Sequence, residues 1–303
     1  MVRRLRGGSL NPVHPPLPPL HLLLALAVVT IWGSNFVIIK LALAQLPPLL
    51  FGALRFTFAL LPALWFLPRP AVPWQQLAAY GLLIGAGQFG LLYIALTGFI
   101  TPGLASLVIQ TQVFFTIALA MKFSGERPRG VQWLALALAA SGIGVIALHT
   151  GGDTRVTGLL LVLCAALSWA AGNIVATRAK GVNALAYVVW ASAWAIGPLL
   201  GLSLLVEGWP AIRSSLAAAG PEAWAAVLWQ SWGNTLFGYS TWAWLLARHP
   251  AATISPLALL VPVVGMSTSA WWLGEPLPPW KLAAAGLVIP GLGLNLLAAR
   301  RRT

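Results

Sequence analysis

The sequence predicts an all-α integral membrane protein, with ten transmembrane helices arranged as two inverted five-helix repeats and both termini cytoplasmic. Three observations predict it. Of 303 residues, 59% are hydrophobic and 8% charged, against roughly 25% charged in soluble domains, and mean hydropathy is +0.85. Apolar runs recur along the whole chain, each near the roughly 20 residues that cross a ~30 Å hydrocarbon core as a helix. The two halves also echo each other.

The runs lie at 22–43, 49–67, 76–98, 103–121, 131–148, 158–176, 184–206, 223–247, 251–273 and 281–299. None has the two-residue alternation of a membrane barrel. Arg3, Arg4 and Arg6 ahead of the first run could suggest a signal peptide. That run is too long, has no small-residue cleavage site after it and leads into further spans. The expectation is a retained first helix.

Formal net charge is +13, a balance that in a soluble chain would point to nucleic acid. Its placement points to topology instead. If ten spans alternate, Arg3, Arg4, Arg6, Arg69, Lys122, Arg127, Arg129, Arg178, Lys180, Arg248 and Arg300–Arg302 share one side. Arg155, Arg213 and Lys281 take the other, with Lys40 near that end of the first span. Excess Lys and Arg marks the cytoplasmic face. No nucleic-acid partner is expected. The single Cys164 lies in a span and excludes an intramolecular disulfide.

The first span holds IWGSNFVIIK, residues 31–40, and the sixth holds WAAGNIVATR, residues 169–178; Asn35 matches Asn173, with Lys40 and Arg178 five residues later. In the fourth and ninth spans, Pro102 and Ser106 lead to Glu126 as Pro250 and Ser255 lead to Glu275, at the same serine-to-glutamate distance. Five helices is an odd number, so the second half enters the membrane inverted. Inverted repeats are a recurring transporter plan, with substrate held at the midplane. The expected organisation is a cytoplasmic N-terminal segment at 1–20, a first repeat at 21–150, and a second at 151–303 ending in a short basic tail.

In the second span, Arg55 sits about seven residues, roughly 10 Å, inside the helix, and so faces protein or water; it could attract a carboxylate or lock a helix pair. Lys40 could snorkel to the interface. GAGQFG, residues 85–90 of the third span, fits the dinucleotide fingerprint by letter, but that motif requires a strand before it and a helix N-terminus at the phosphates. Mid-span, its small residues instead let helices approach closely.

No span contains Asp, Glu or His, and there is no HExxH and no paired carboxylate. A membrane-embedded enzyme would need a nucleophile with a base, or metal ligands. No catalytic residue, metal or cofactor is expected. The usual intramembrane carboxylate proton relay is missing too. The interior offers amides, Asn35, Gln88, Gln110, Gln112, Asn173, Gln230 and Asn234, and rings including Tyr80, Tyr93, Trp169, Trp190, Trp229, Trp232 and Tyr239. Unpartnered amides in hydrocarbon cost several kcal/mol, so these need partners or a ligand. Such a lining suits a small zwitterion with a variable apolar side chain. Gln110 and Gln112 are about 200° apart on an α-helix, so they do not easily share one narrow cavity. Gln110 lies one turn from Ser106, which places Ser106 and Gln110 toward the cavity. Pro256 and Pro262 free carbonyls for a ligand or a hinge. The candidate substrate-binding set is Asn35, Tyr80, Gln88, Ser106, Gln110, Trp169, Asn173 and Ser255.

With these residues in view, the chain resembles an EamA-type member of the drug/metabolite transporter superfamily. WGSNFVIIK, PPLLFGALRF, PGLASLVIQTQVFFTI, FSGERP, LSWAAGNI and PLALLVPVVGMSTSAWWLGEPL carry the resemblance, which covers essentially the whole chain. It implies two inverted five-helix repeats and export of small metabolites across the bacterial inner membrane. Similarity is nearest to YddG-type amino-acid exporters and to exporters of cysteine and O-acetylserine. The expected partners are small amino acids and related metabolites and membrane lipid, with the protein functional as a monomer. The competing reading is a multidrug or organic-cation exporter of the same superfamily; a membrane-embedded enzyme and a passive channel complete the alternatives. Small multidrug exporters rely on a membrane-embedded glutamate, which has no counterpart here. The seventh helix carries no cation equivalent to Arg55.

Overall fold

A computed structural model describes residues 17–124, 130–179 and 181–300. Arg3, Arg4, Arg6, Glu126, Arg127, Arg129, Lys180, Arg301 and Arg302 lie outside the described residues, and so does the Glu126 half of the serine-to-glutamate repeat. The described residues are helical apart from turns and one isolated bridge between Gly151 and Thr154.

The helices are α1 (Pro19–Ala42), α2 (Pro48–Ala63) and α3 (Trp74–Leu96). Next, α4 runs through Pro102–Val108, Ile109–Thr111 and Gln112–Ser124, followed by α5 (Gly130–Leu148), α6 (Val156–Ala176) and α7 (Ala184–Glu207). The short α8 (Trp209–Ala218) precedes α9, which runs through Pro221–Leu228, Trp229–Phe237 and Gly238–Arg248. The chain then forms α10 (Ala251–Ile254, Ser255–Leu259, Leu260–Leu273) and α11 (Pro279–Arg300).

Eight of these helices are long and apolar enough to cross a membrane, and α2 is a shorter apolar helix. α9 does not count among the eight because Gln230, Ser231, Asn234 and Thr235, all buried, dilute its hydropathy. The sequence reading has no element between 206 and 223. There the structure places α8, which follows Gly208 at φ 82°, a backbone angle that favours glycine.

Proline sets several starts. Pro19, Pro48, Pro102, Pro221 and Pro279 open helices, where the missing N–H leaves no bond unmade. Around the bundle, large apolar side chains remain exposed, including Leu160, Leu205, Trp65, Phe66 and Trp271. This is the surface expected of helices solvated by lipid, with aromatics near helix ends.

The packing has a regular pattern. α2 packs mainly on α7 and α5 on α11, while α1 packs on α10 and α4 on α6. Small residues permit these approaches. A Cβ built on Gly33 of α1 would stand 2.6 Å from Val264 Cβ and 2.8 Å from Val261 O of α10. Within GAGQFG, a Cβ on Gly85 would stand 2.1 Å from Ala195 Cβ; one on the nearby Gly81 would stand 2.1 Å from Ala191 O. The motif packs α3 on α7, as its mid-span position predicts.

Polar ties gather where helices begin. Glu207 accepts from Leu49 N at 2.6 Å and Leu50 N at 3.2 Å, capping α2. Gln45 Oε1 accepts from Gly220 N at 2.9 Å, ahead of α9. Glu275 accepts from Gly103 N at 2.9 Å in the first turn of α4, from the hydroxyls of Thr101 and Ser269, and from Lys281 Nζ at 2.8 Å. Each acceptor meets N–H groups that have no partner within their own helix and lies at the positive end of its dipole. Lys40 Nζ donates to Leu96 O at 3.0 Å, the complementary pairing at the C-terminus of α3. Lys40 therefore makes a defined contact rather than simply snorkelling.

The Glu275–Lys281 pair is buried on both sides. Burial pushes the Glu275 carboxyl up, but Lys281, Ser269, Thr101 and the Gly103 N–H together hold it below the ordinary glutamate value of 4.5. A depressed folded pKa contributes stability that is present above the unfolded value and lost as pH falls through the folded one. Glu275→Gln should therefore cost about 3–5 kcal/mol at neutral pH, the usual cost of stranding one buried partner. The gap in Tm between it and wild type, in detergent, should hold at neutral pH and narrow as pH falls from the unfolded glutamate value of 4.5 toward the lower folded one; a gap that closes at neutral pH would contradict the arrangement.

A second expectation concerns α3 against α7. Gly81→Ala or Gly85→Ala should lower stability by about 1–3 kcal/mol through overpacking. Gly144→Ala in α5, where an added Cβ meets nothing within 4 Å, serves as the neutral control in the same thermal melts.

Candidate functional site

A cavity of about 200 Å³ lies among α1, α3, α4, α6, α9 and α10. α1 contributes Trp32, Asn35 and Phe36; α3 contributes Gln88, Phe89 and Leu92; α4 contributes Ile109, Gln110 and Gln112. Trp169 comes from α6, Asn234, Tyr239 and Trp242 from α9, and Ala258 and Val261 from α10. Its volume is below the roughly 300–1,000 Å³ of drug-sized pockets, so it suits a small solute.

The backbone explains why the cavity is here. Leu82–Gly90 in α3 and Trp229–Phe237 in α9 are π-helical, while Ile109–Thr111 in α4 and Ser255–Leu259 in α10 are 3-10. All four stretches reach the lining, through Gln88 and Phe89, Asn234, Ile109 and Gln110, and Ala258. Mid-helix departures from α geometry of both kinds recur at functional sites. At membrane depth such backbone is tolerated where it lines a cavity or is buried in protein. Pro256 lies within the 3-10 stretch of α10 and Pro262 three residues beyond its end.

Four of the eight candidate residues come together here: Asn35, Gln88, Gln110 and Trp169. The other four do not line the cavity. Tyr80 is buried with its ring 4.9 Å from that of Tyr187. Ser106 is fully buried, donates to Gly103 O at 2.6 Å and packs against Gly265. Asn173 sits behind the lining, its amide donating to Gln112 Oε1 at 3.0 Å and Thr116 Oγ1 at 3.4 Å. Ser255 is half-buried at the start of the 3-10 stretch.

Gln112 reaches the cavity together with Gln110, against the sequence reading. The 3-10 turn between them is the reason. Three residues per turn put them about 120° apart, against about 160° (the complement of 200°) on an α-helix. Ser106 falls away because a turn of contact with Gly265 turns it into the α4–α10 seam.

The aromatic wall is larger than the sequence reading allows. Trp32 lies 5.6 Å from Tyr239 and 5.2 Å from Trp242 between ring centroids, and Trp32 Nε1 donates to Asn234 O at 3.3 Å. The available signal is spacing: Trp32 precedes Asn35 by three residues, as Tyr239 precedes Trp242, so each pair shares a helix face. By contrast, Trp190 and Trp232 donate to Leu67 O and Phe58 O outside the cavity.

Behind this wall lies Arg55, 1% exposed. Nη1 donates to Tyr93 Oη at 2.8 Å and Nη2 to Thr235 Oγ1 at 3.2 Å. Its Cζ stands 3.6 Å from the centroid of Phe89, a lining residue, and 5.2 Å from that of Phe56. Among the described residues, Nε of Arg55, Nε2 of Gln230 and Oδ1 of Asn35 are buried without partners, and no three His, Cys, Asp or Glu converge as metal ligands. The lining itself carries no formal charge. This arrangement can bind and enclose a small polar solute.

The model of the EamA-like transporter family matches residues 19–148 and again residues 156–297. The chain is 41% identical over 287 residues to the "Probable amino-acid metabolite efflux pump" of Salmonella typhimurium, covering 92% of this chain and 96% of that one. It is 27% identical to the "Uncharacterized inner membrane transporter YedA" of Escherichia coli K12, covering 87% and 86%. A crystal structure superposes with a TM-score of 0.61 at 19% identity, covering 93% of this chain and 97% of that one, and so shares the fold. With matches across both halves and eight helices suited to crossing a bilayer, this multi-pass inner-membrane protein belongs to the EamA-like transporter family.

Proposed function

We propose that the protein exports neutral amino acids and related small metabolites, such as threonine, methionine and cysteine-like compounds, by alternating access through the central cavity. The observation that carries this reading is the lining. It offers amides and aromatic faces without formal charge, in a volume too small for most drugs and built from both halves of the chain. The name of the Salmonella typhimurium relative, an amino-acid metabolite efflux pump, supports the same solute class.

The architecture proposed for this work is ten crossing helices, α1–α7 and α9–α11, in two inverted repeats (21–150 and 151–303) with cytoplasmic termini. Several observations support it. The family model matches twice. The packing is paired as a pseudo-two-fold axis would require: α1 on α10 answers α4 on α6, while α2–α7 and α5–α11 each join equivalent helices. Of the three π-helical stretches among the described residues, two fall in the third helices of the two halves, as the 3-10 stretches do in the fourth, while the remaining one, Ser203–Glu207, ends α7. In this frame Glu275, Lys281, Thr101 and Lys40 form ties at the outer end, and rocking of one repeat on the other exposes the cavity to each side in turn.

Proteoliposomes holding the protein should take up labelled methionine and threonine faster than empty vesicles. Transport confined to organic cations would reject the reading in favour of the drug-exporter alternative. Gln88→Ala and Gln110→Ala, at lining positions, should raise apparent KM more than they lower maximal flux. Asn35→Ala should slow all substrates similarly, because Gly33 beside it locks α1 to α10; a change in substrate preference instead would assign Asn35 to binding.

Energy coupling gives a further expectation. With no carboxylate lining the cavity, uptake should run on the substrate gradient alone and change little when a pH difference is imposed. Strict dependence on that difference would move attention to the ties at Glu275.

A further inference from the structure

Arg55 poses a specific problem. A buried cation in a membrane protein ordinarily faces a carboxylate or a water-filled cavity. Among the described residues no Asp or Glu pairs with it, and the one ion pair is Glu275 with Lys281. A guanidinium offers five N–H donors; the neutral oxygens of Tyr93 and Thr235 take two contacts, and Nε is buried without an acceptor. Gln230, four residues from Asn234 and bonded to it, holds a second buried donor without an acceptor. Donors are in excess on this side of the site.

The position is as telling as the imbalance. The guanidinium lies against the ring of Phe89, and Phe89 lines the cavity. Thr235, which touches Arg55, neighbours Asn234, which also lines it. Both contacts fall within π-helical stretches, Leu82–Gly90 and Trp229–Phe237, where the hydrogen-bonding ladder departs from the α pattern, as it does at many functional sites. Phe89 therefore separates a solute in the cavity from a charge that lacks a counter-ion.

Resting on the export reading above, we propose that Arg55 is the anion subsite of this transporter: displacement of Phe89 brings the guanidinium to the solute's carboxylate. The missing counter-ion is then the substrate itself. The geometry a guanidinium offers a carboxylate is a bidentate fork. Along α9, Tyr239 and Trp242 lie roughly 6 and 10 Å beyond Thr235 at 1.5 Å per residue, where with Trp32 they receive the side chain. The same cation repels organic cations that bear no carboxylate.

The test compares methionine with methioninamide, which keeps the ammonium group and side chain but has no carboxylate. In proteoliposomes, wild type should favour methionine by roughly ten- to hundredfold, the worth of a hydrogen bond to a charged group. Arg55→Gln should bring that ratio toward unity mainly by slowing methionine, and Arg55→Lys, a point charge without the fork, should fall between. Methionine transport with the wild-type ratio in Arg55→Gln would overturn the proposal and leave the export reading standing. If neither Arg55 variant folds, Tyr93→Phe decides. It frees Nη1, so the ratio should rise, and an unchanged or lower ratio overturns the proposal. A thermal-shift assay in nanodiscs with butyrate separates the two readings. Butyrate should stabilise wild type and not Arg55→Gln. That result without any methionine transport would reject amino-acid export while retaining the anion subsite, whereas no stabilisation of wild type would overturn the subsite.

Discussion

Every backbone N–H and C=O at membrane depth must find a partner inside the protein, because hydrocarbon offers none. This constraint underlies the rest of the structure. It makes the chain helical throughout its apolar runs, and it assigns acceptors to the free N–H groups where helices begin, as Glu207, Gln45 and Glu275 do. It also restricts irregular backbone to protected places. Of the three π-helical and two 3-10 stretches among the described residues, all but Ser203–Glu207 at the end of α7 meet around one cavity, where backbone enclosed by protein can depart from the α-helix.

Close packing and the cavity are complementary results of one residue choice. Without a hydrophobic force drawing helices together in lipid, small residues and shape supply the contact. Gly33 brings α1 against α10, and Gly81 and Gly85 bring α3 against α7. The neighbours of these glycines along the same helices, Asn35 and Gln88, are then held at fixed places on the cavity wall. Close packing and the cavity wall thus share the same helices.

Charge is distributed by the same logic. The carboxylate and ammonium of Glu275 and Lys281 neutralise each other beyond the apolar core and tie α4 to the loop between α10 and α11. Arg55 lies deep within the bundle, held by a ring and neutral oxygens. The first arrangement is a closed structural tie; the second leaves capacity unused, which is the reason it draws a functional interpretation.

The sequence by itself determined the class of protein and the approximate position of its helices. Length and hydropathy of an apolar run are local properties, and a bilayer reads them locally. The mid-helix break in α10 was legible in Pro256. The tertiary structure alone decided which polar groups share a space. Gln110 and Gln112 reach one cavity through a 3-10 turn that no residue at 109–111 announces. Asn173 is drawn behind Gln112, Ser106 is buried against Gly265, and Trp32 and Trp242 meet from helices far apart in the chain. Helical phase and neighbouring helices set these directions. A small rotation moves an amide between lining and seam without changing the hydropathy of the run that carries it.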